Sequence, residues 1–372
     1  MKLTIERAAL LRSLNHVQSV VERRNTIPIL ANVLIEATDG AINLTATDMD
    51  IAIVETAATT VSAPGATTAP AHTLYDIVRK LPDGAQIELE TNDETNQLAL
   101  SAGRSRFTLT TLPTADFPSM SAGDMPHVFK SAAAELRSLV DRTRFAISTE
   151  ETRYYLNGIY LHTAEADGLQ RLRAAATDGH RLARVEMPLP DGAKGMPGII
   201  IPRKTIAELR KLIDESDDVV DISVSDTKIQ FAFDGAILTS KLIDGTFPDY
   251  EKVIPVGNDK FLEVDCHAFA DAVDRVATIS TERSRSVKLK VEANVLTLSA
   301  SSPDNGTAVE EIEVAYDKEA LEIGFNSRYL LDITQQVEGD TAQLAMADGA
   351  SPTIVRDSSD DSALYVLMPM RV

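Results

Sequence analysis

Ala46-Thr47-Asp48 and, 130 positions later, Ala176-Thr177-Asp178 are the same tripeptide. Two further pairs keep that order: Leu11-Arg12-Ser13-Leu14 returns as Leu136-Arg137-Ser138-Leu139, and Phe117-Pro118 returns as Phe247-Pro248. Chance matches do not reliably keep their order. A fainter third copy carries Val140-Asp141-Arg142 again as Val273-Asp274-Arg275. Ile147-Ser148 comes again as Ile279-Ser280, a few residues further along the same predicted helix. Self-similarity at a near-constant period marks a chain built from arrayed units. The copies are expected at residues 1–126, 127–258 and 259–372, joined through the turn-rich Gly123-Asp124-Met125-Pro126 and Pro255-Val256-Gly257-Asn258-Asp259.

Each copy is itself doubled. Copy one predicts a helix from Glu6 to about Val21, strands at Val33–Glu36 and Ile42–Thr47, and a second helix from Leu74 to Leu81, stopped by Pro82-Asp83-Gly84. Alternation then marks strands at Ile87–Glu90, Leu98–Leu100 and Phe107–Thr110. Copy two repeats this with helices Ala132–Phe145 and Lys204–Ile213, and copy three with helices around Ala268–Ile279 and Ser327–Val337. The Ala/Thr/Pro-rich stretch Ala57–Ala71 reads as a loop. Hairpin turns at Asp39-Gly40 and Asp167-Gly168 make the sheets antiparallel. The fold class is therefore α+β, with two helices per copy covering the apolar face of antiparallel sheets.

Composition narrows the function classes. The 372 residues include no Trp, so the cores are aliphatic. The lone Cys266 forms no internal disulfide and reads as a small buried hydrophobe. The first residues lack the apolar core of a signal peptide and no apolar run would cross a membrane, so a soluble cytoplasmic protein without membrane partners is the default. The net charge of −20 argues on its face against nucleic acid, but its distribution does not. The six predicted helical stretches together carry +6, which leaves −26 on strands and loops. If repetition puts the helices on one surface, that surface can attract phosphates; solvated helix charges are the plainer alternative.

Candidate chemistry is sparse. Asp178 and His180 could pair as base and orienter or as metal ligands, or form a turn beside a surface pocket. Asp48-Met49-Asp50 could hold a cation, or be a solvated turn. No nucleophile elbow or phosphate loop is present, so no catalytic residue, metal or cofactor is assigned. Tyr154-Tyr155 could stack on bases or be half-buried core. Arg104-Ser105-Arg106-Phe107 could contact phosphate or an acidic partner chain, or guard an edge strand. The apolar end, Tyr365 through Val372, completes a sheet or lines a groove, and two Met flanking a Pro suit varied apolar peptides.

Taken together, Arg24-Asn25-Thr26-Ile27-Pro28-Ile29-Leu30, Arg104-Ser105-Arg106-Phe107, Arg153-Tyr154-Tyr155-Leu156-Asn157-Gly158, Ala176 through Leu182, Phe247-Pro248-Asp249-Tyr250 and Met368-Pro369-Met370-Arg371 resemble the bacterial replicative sliding clamp, the beta subunit of DNA polymerase III. The resemblance spans the chain. It implies a non-catalytic, head-to-tail homodimeric ring with helices inside, which encircles double-stranded DNA without sequence preference and tethers the polymerase. The implied partners are the polymerase III catalytic subunit, the clamp loader, and other polymerases and repair or replication-control proteins.

By motif, the resemblance implies a partner-peptide groove between copies two and three. Its lining would be Leu156, Thr177, Gly179, His180, Arg181, Leu182, Pro248, Val253, Asn326, Tyr329, Val366, Leu367, Met368, Pro369, Met370, Arg371 and Val372, with Arg181 and Arg371 framing the polar rim. It implies DNA contacts at Arg24, Tyr154 and Tyr155 and at the positions of His72 and Glu150, with Arg203 and Lys204 added from charge. A dimer contact is implied at Arg104, Arg106 and Phe107 against Ile279 and Glu310–Glu313. Val372, His72, Glu150 and Lys252 depart from the residues common in the family at those places.

Overall fold

The computed structural model describes residues 1–92, 95–214, 218–280 and 285–371. Copy one runs β1 (Lys2–Glu6), α1 (Arg7–Gln18), β2 (Asn32–Thr38), β3 (Ala41–Thr47), β4 (Ile51–Ala58), β5 (Thr60–Ala63), β6 (Gly65–Pro70), α2 (Ala71–Lys80), β7 (Gln86–Asn92), β8 (Gln97–Ala102) and β9 (Ser105–Thr110). Copy two runs β10 (His127–Ala132), α3 (Ala133–Arg144), β11 (Gly158–Ala166), β12 (Leu169–Thr177), β13 (Arg181–Pro188), β14 (Ile199–Pro202), α4 (Arg203–Asp214), β15 (Val219–Val224), β16 (Lys228–Phe233) and β17 (Ala236–Lys241). Copy three runs β18 (Lys260–Asp265), α5 (Cys266–Ala277), β19 (Ser286–Glu292), β20 (Val295–Ser302), β21 (Gly306–Glu313), β22 (Leu321–Asn326), α6 (Ser327–Thr334), β23 (Thr341–Met346), β24 (Thr353–Asp357) and β25 (Asp360–Leu367).

The repeating unit is thus one strand, one helix and three strands, twice per copy, with β5 inserted in copy one. Sequence periodicity found the helices and many of the strands that follow them, but it did not mark β4, β11, β12, β13, β23 or β24. It missed the strand that leads into each helix. The stretch Ala57–Ala71 is also corrected from loop to strands β5 and β6. Pairing rather than hydrophobic alternation makes them: β5 lies against β1, and β6 against β2 from Asn32↔Pro70 to Ala37↔Gly65. The buried Thr68 hydroxyl takes the Leu112 N–H at 3.0 Å and donates to its carbonyl at 2.8 Å. Ile279 is corrected too, because α5 ends at Ala277 and Ile279 lies in the turn beyond it.

Local chemistry sets the boundaries. The Glu6 carboxylate accepts the orphan N–H groups of Ala8 and Ala9 at the start of α1, and Asp265 accepts that of Ala268 at the start of α5. Asp39-Gly40, Asp167-Gly168, Asp234-Gly235 and Ala293-Asn294 all have positive φ at both positions, the backbone of a tight antiparallel hairpin turn.

The described chain packs as two units: Met1–Arg137 with Pro190–Pro197 and Lys204–Leu242, and Ser138–Leu189 with Gly198–Arg203 and Ile243–Val372. The first holds a five-stranded sheet, β5-β1-β7-β8-β9, and an eight-stranded sheet, β10-β15-β16-β17-β4-β3-β2-β6. The second holds an eight-stranded sheet, β14-β11-β12-β13-β25-β24-β23-β18, and a four-stranded one, β21-β20-β19-β22. Each eight-stranded sheet therefore draws strands from two copies. In the first unit β4 pairs antiparallel with β17, from Ile51↔Ser240 to Glu55↔Ala236. In the second β13 pairs with β25, from Arg181↔Leu367 to Val185↔Ala363. Helix α1 packs on α2 and over β4 in the first unit, and α5 packs on α6 and over β21 in the second. Leu3, Leu10, Leu14, Ile35 and Leu44 are fully buried in the first core, and Leu289, Leu296, Leu298, Phe325 and Leu364 are buried in the second.

Gly158 at the head of β11 has no room for a side chain, since an added Cβ would stand 2.2 Å from the Ile201 carbonyl oxygen. Gly158→Ala must push β14 away from β11, at a cost of about 1–3 kcal/mol. A thermal melt should show a clearly lowered Tm; an unchanged Tm would contradict the register of this strand pair.

Candidate functional site

The repeated tripeptide is a turn, built the same way twice. After β12, the Thr177 hydroxyl donates to the Arg181 carbonyl and accepts the Gly179 N–H, while one Asp178 oxygen accepts the N–H groups of His180 and Arg181. After β3, Thr47 and Asp48 make the same four bonds to Ile51, Met49, Asp50 and Ile51. Asp178 and Asp48 are therefore turn-formers. Among the described residues no group of His, Cys, Asp or Glu could hold a metal ion. His180 is exposed and lies over Tyr329, ring centres 6.4 Å apart.

The two turns differ where the backbone has positive φ, at Met49 (79°) and Gly179 (88°). Arg153 takes the space above Gly179: its Nη1 would be 2.6 Å from an added Cβ. The Arg153 guanidinium donates to the Asp178 carbonyl at 2.9 Å and pairs with Glu150 at 2.7 Å. That contact holds the Glu150 carboxyl below the usual carboxylate range.

Beside this turn lies a cavity of about 290 Å³ in the second unit. Leu156, Leu182, Val253, Val366 and Met368 give it apolar walls; Thr177, Gly179, Arg181 and Pro248 complete the expected part of the lining. Arg153, Tyr155, Asp249 and Tyr250 line it as well and were not expected there, although all four lie in the quoted motifs. Tyr250 is anchored from behind. His162 Nδ1 faces the Thr163 carbonyl at 3.0 Å and so carries the proton, which leaves Nε2 to accept the Tyr250 hydroxyl at 2.8 Å. His162 stacks on Tyr160, and Tyr160 on Phe247, at 4.6 and 4.9 Å. Burial pushes the Tyr250 phenol up to about 12 and holds the His162 imidazole below its ordinary range.

Several expected lining residues fall elsewhere. Leu367 is buried on the opposite face of β25 from Val366, as strand alternation requires. Pro369, Met370 and Arg371 line a separate cavity of about 550 Å³ with Lys288, Glu322 and Gly324, because the Met370 N–H bonds to the Gly324 carbonyl at 2.8 Å and lays the tail along β22. Asn326 caps α6, its side chain accepting the Arg328 N–H at 3.0 Å. Arg181 lines the cavity but is no rim residue. It is 8% exposed, donates to the Phe145 carbonyl at 2.6 Å, pairs with Asp178 and Asp332, and lies 4.3 Å from the Tyr329 ring centre. Val372 is outside the described residues.

The expected DNA contacts separate too. Arg24 and Arg203 are exposed and carry no ion pair among the described residues. Tyr154 is 54% exposed, whereas Tyr155 turns into the cavity. His72 has both ring nitrogens 2.9 Å from oxygens of Gln18 and Val21 and fastens α2 to the end of α1. Lys204 pairs with Asp48 and Glu22 and donates to the Val20 carbonyl at 3.2 Å. The surplus of helix cations is reduced in the same way by Arg7–Asp83, Arg12–Asp234 and Arg142–Asp360. Arg106 and Phe107 are exposed on β9, an edge strand, and Arg104 is exposed just ahead of it; Ile279 is half-buried. On β21, an edge of the four-stranded sheet, Glu310 pairs with Arg275 of α5 at 2.6 Å.

Two measurements test this geometry. Gly179→Ala should lose about 1–2 kcal/mol for its backbone conformation alone and displace Arg153; unchanged stability would contradict the turn. His162 has a lowered folded pKa, so its contribution to stability is complete above its unfolded value near 6.5 and is lost as pH falls through the folded value. Tm should therefore drop more steeply below that pH in the natural chain than in His162→Gln. Parallel curves would remove His162 from the account.

Three family models cover the chain: the N-terminal domain of the DNA polymerase III beta subunit at residues 1–121, its central domain at 131–249 and its C-terminal domain at 251–371. The beta sliding clamp of Caulobacter vibrioides is 57% identical over 372 residues, with both chains fully covered. That of Escherichia coli K12 is 38% identical over 375 residues, again covering both chains entirely. A crystal structure of the C. crescentus clamp with bound polyethylene glycol superposes with a TM-score of 0.98 at 57% identity, covering 100% of this chain and 99% of the other. A Bartonella birtlesii clamp bound to griselimycin gives 0.97 at 49% identity, with full coverage of both. The chain is built of three clamp domains and belongs to the DNA polymerase III beta subunit, or beta sliding clamp, family.

Proposed function

We propose that two copies of this chain close head to tail into a ring around duplex DNA and tether the replicative polymerase there without catalysing a reaction. The proposed domains are residues 1–126, 127–258 and 259–372. The observation that carries this reading is the edge left over by the repeat. Strand β4 of copy one pairs with β17 of copy two, and β13 of copy two with β25 of copy three. In that series β21 of copy three corresponds to β4 and β13, and β9 of copy one to β17 and β25, yet β21 and β9 are both edges. Pairing β9 of one chain with β21 of another repeats the joint already made twice, and such heterologous contacts close into rings. Arg104 and Arg106 would meet Glu310, Glu311 and Glu313, and Phe107 would cover Ile279.

Arg24, Arg203 and Tyr154 are the proposed DNA contacts, giving sequence-independent phosphate attraction and one stacking ring. The cavity lined by Leu156, Leu182, Val253, Val366 and Met368 is the proposed seat for apolar partner peptides. A polyethylene glycol and griselimycin are bound by clamps at 57% and 49% identity. The proposed users of that seat are the polymerase catalytic subunit, the clamp loader and other replication or repair proteins. Their compartment would be the cytoplasm; no described helix is long and apolar enough to cross a membrane.

Loaded protein should remain on nicked circular DNA in high salt and leave when the circle is cut. Equal loss from circular and linear DNA would reject encirclement. Phe107→Asp should convert a dimer to a monomer on native sizing, and an unchanged dimer would reject the β9 edge. Arg24→Glu with Arg203→Glu should speed loss of the loaded protein at low salt; no change would reject those contacts.

A further inference from the structure

The tenth residue of each copy's first helix is basic and paired with a carboxylate: His16 of α1 with Glu55, Arg142 of α3 with Asp360, and Arg275 of α5 with Glu310. Strand register shows that the first and last are the same pair. Pro70 and Asn326, just ahead of α2 and α6, lie opposite Asn32 and Ser286. Three residues further along, Ile35 lies opposite Leu44, and Leu44 opposite Glu55. In copy three the same path runs from Leu289 to Leu298 to Glu310. In copy two it ends at Val185, and Arg142 reaches Asp360 of copy three instead.

The two equivalent pairs differ in what covers them. Copy two closes over the first: β17 places Ala236 opposite Glu55, and Glu208 of α4 accepts the hydroxyl of Ser19 at the end of α1. The His16 and Glu55 side chains are 5% and 6% exposed. β21 is an edge, and the Arg275 and Glu310 side chains are 59% and 27% exposed. Their bond is already made, through both carboxylate oxygens at 2.6 and 3.1 Å.

The residue due opposite Glu310 follows from the segments that leave the joints. Leu112, Ile243 and Met370 donate their N–H groups to Thr68, Ile200 and Gly324, each two residues before the end of its strand. Seven residues before those donors stand Ser105, Ala236 and Ala363. Ala236 and Ala363 lie opposite Glu55 and Val185. Ser105 therefore takes the place opposite Glu310 when β9 of a second chain adds to β21. Glu311 and Glu313, on the other face of β21, are left for Arg104 and Arg106.

We propose that closing the ring buries the Arg275–Glu310 pair beneath the second chain, with Ser105 opposite, and that the two residues act at this joint as one unit. This rests on the head-to-tail ring proposed above. Removing one member of a buried pair strands the other charge away from water, whereas replacing both is often nearly neutral. The pair thus adds little net affinity, yet the joint does not tolerate the loss of either member.

Native sizing of the full chain over a dilution series reads the dimer constant. Arg275→Met and Glu310→Gln should each weaken the dimer about tenfold or more. The double variant should return to within about threefold of the natural chain. The single losses should persist in high salt, because a buried pair is poorly screened. Far-UV circular dichroism certifies the fold of each variant. Single losses under about twofold, the behaviour of a solvated surface pair, overturn the proposal, as do losses that simply add in the double variant. A natural chain that is monomeric at every concentration instead removes the ring itself.

Discussion

Everything in this molecule depends on the antiparallel joint by which one copy of the repeat continues the sheet of the next. Five residue pairs make it in each unit, Ile51 to Glu55 on Ser240 to Ala236 and Arg181 to Val185 on Leu367 to Ala363. The bonds are between main-chain groups, which every residue but proline carries. Side chains on the two strands are therefore free to diverge while the joint persists. That freedom separates architecture from recognition: the former is held by backbone, the latter is written in side chains along the same strands.

The divergence is visible position by position. Leu182 and Ala52 are equivalent, as are Gly179 and Met49. The first pair decides whether an apolar wall exists. The second decides whether space exists above the turn for Arg153. The joint with leucine and glycine has the cavity; the one with alanine and methionine retains only the turn and its Lys204–Asp48 tie. Arg181, buried among Phe145, Tyr329 and Asp332, holds the end of β13 where the cavity begins.

The fold was largely legible in the sequence because helix and strand periods are local. The leading strand Gly65–Pro70 and the inserted strand Thr60–Ala63 were not, since they owe their form to β2 and β1 rather than to their own pattern. The cavity was partly legible: motifs named the segments but not which way each residue turns. Alternation sends Leu367 inward beside Val366, and Tyr155 and Tyr154 face different surroundings. Charge counting could not see that Lys204 is tied to Asp48 and Glu22, which are remote from it in sequence; the resemblance likewise did not show that the His72 ring is held by the oxygens of Gln18 and Val21.

The charges on the edge strands β9 and β21 give the proposed assembly a direction. β9 carries Arg106, with Arg104 just ahead of it, and β21 carries Glu310, Glu311 and Glu313. In the proposed assembly like edges would repel and unlike edges attract, which would favour one polarity of meeting. A ring opened for loading would expose no sticky strand to a third molecule of the wrong sense, and its ends would reclose on each other. The charges alone would equally allow head-to-tail growth; it is closure that ends it, because a closed ring leaves neither edge unpaired.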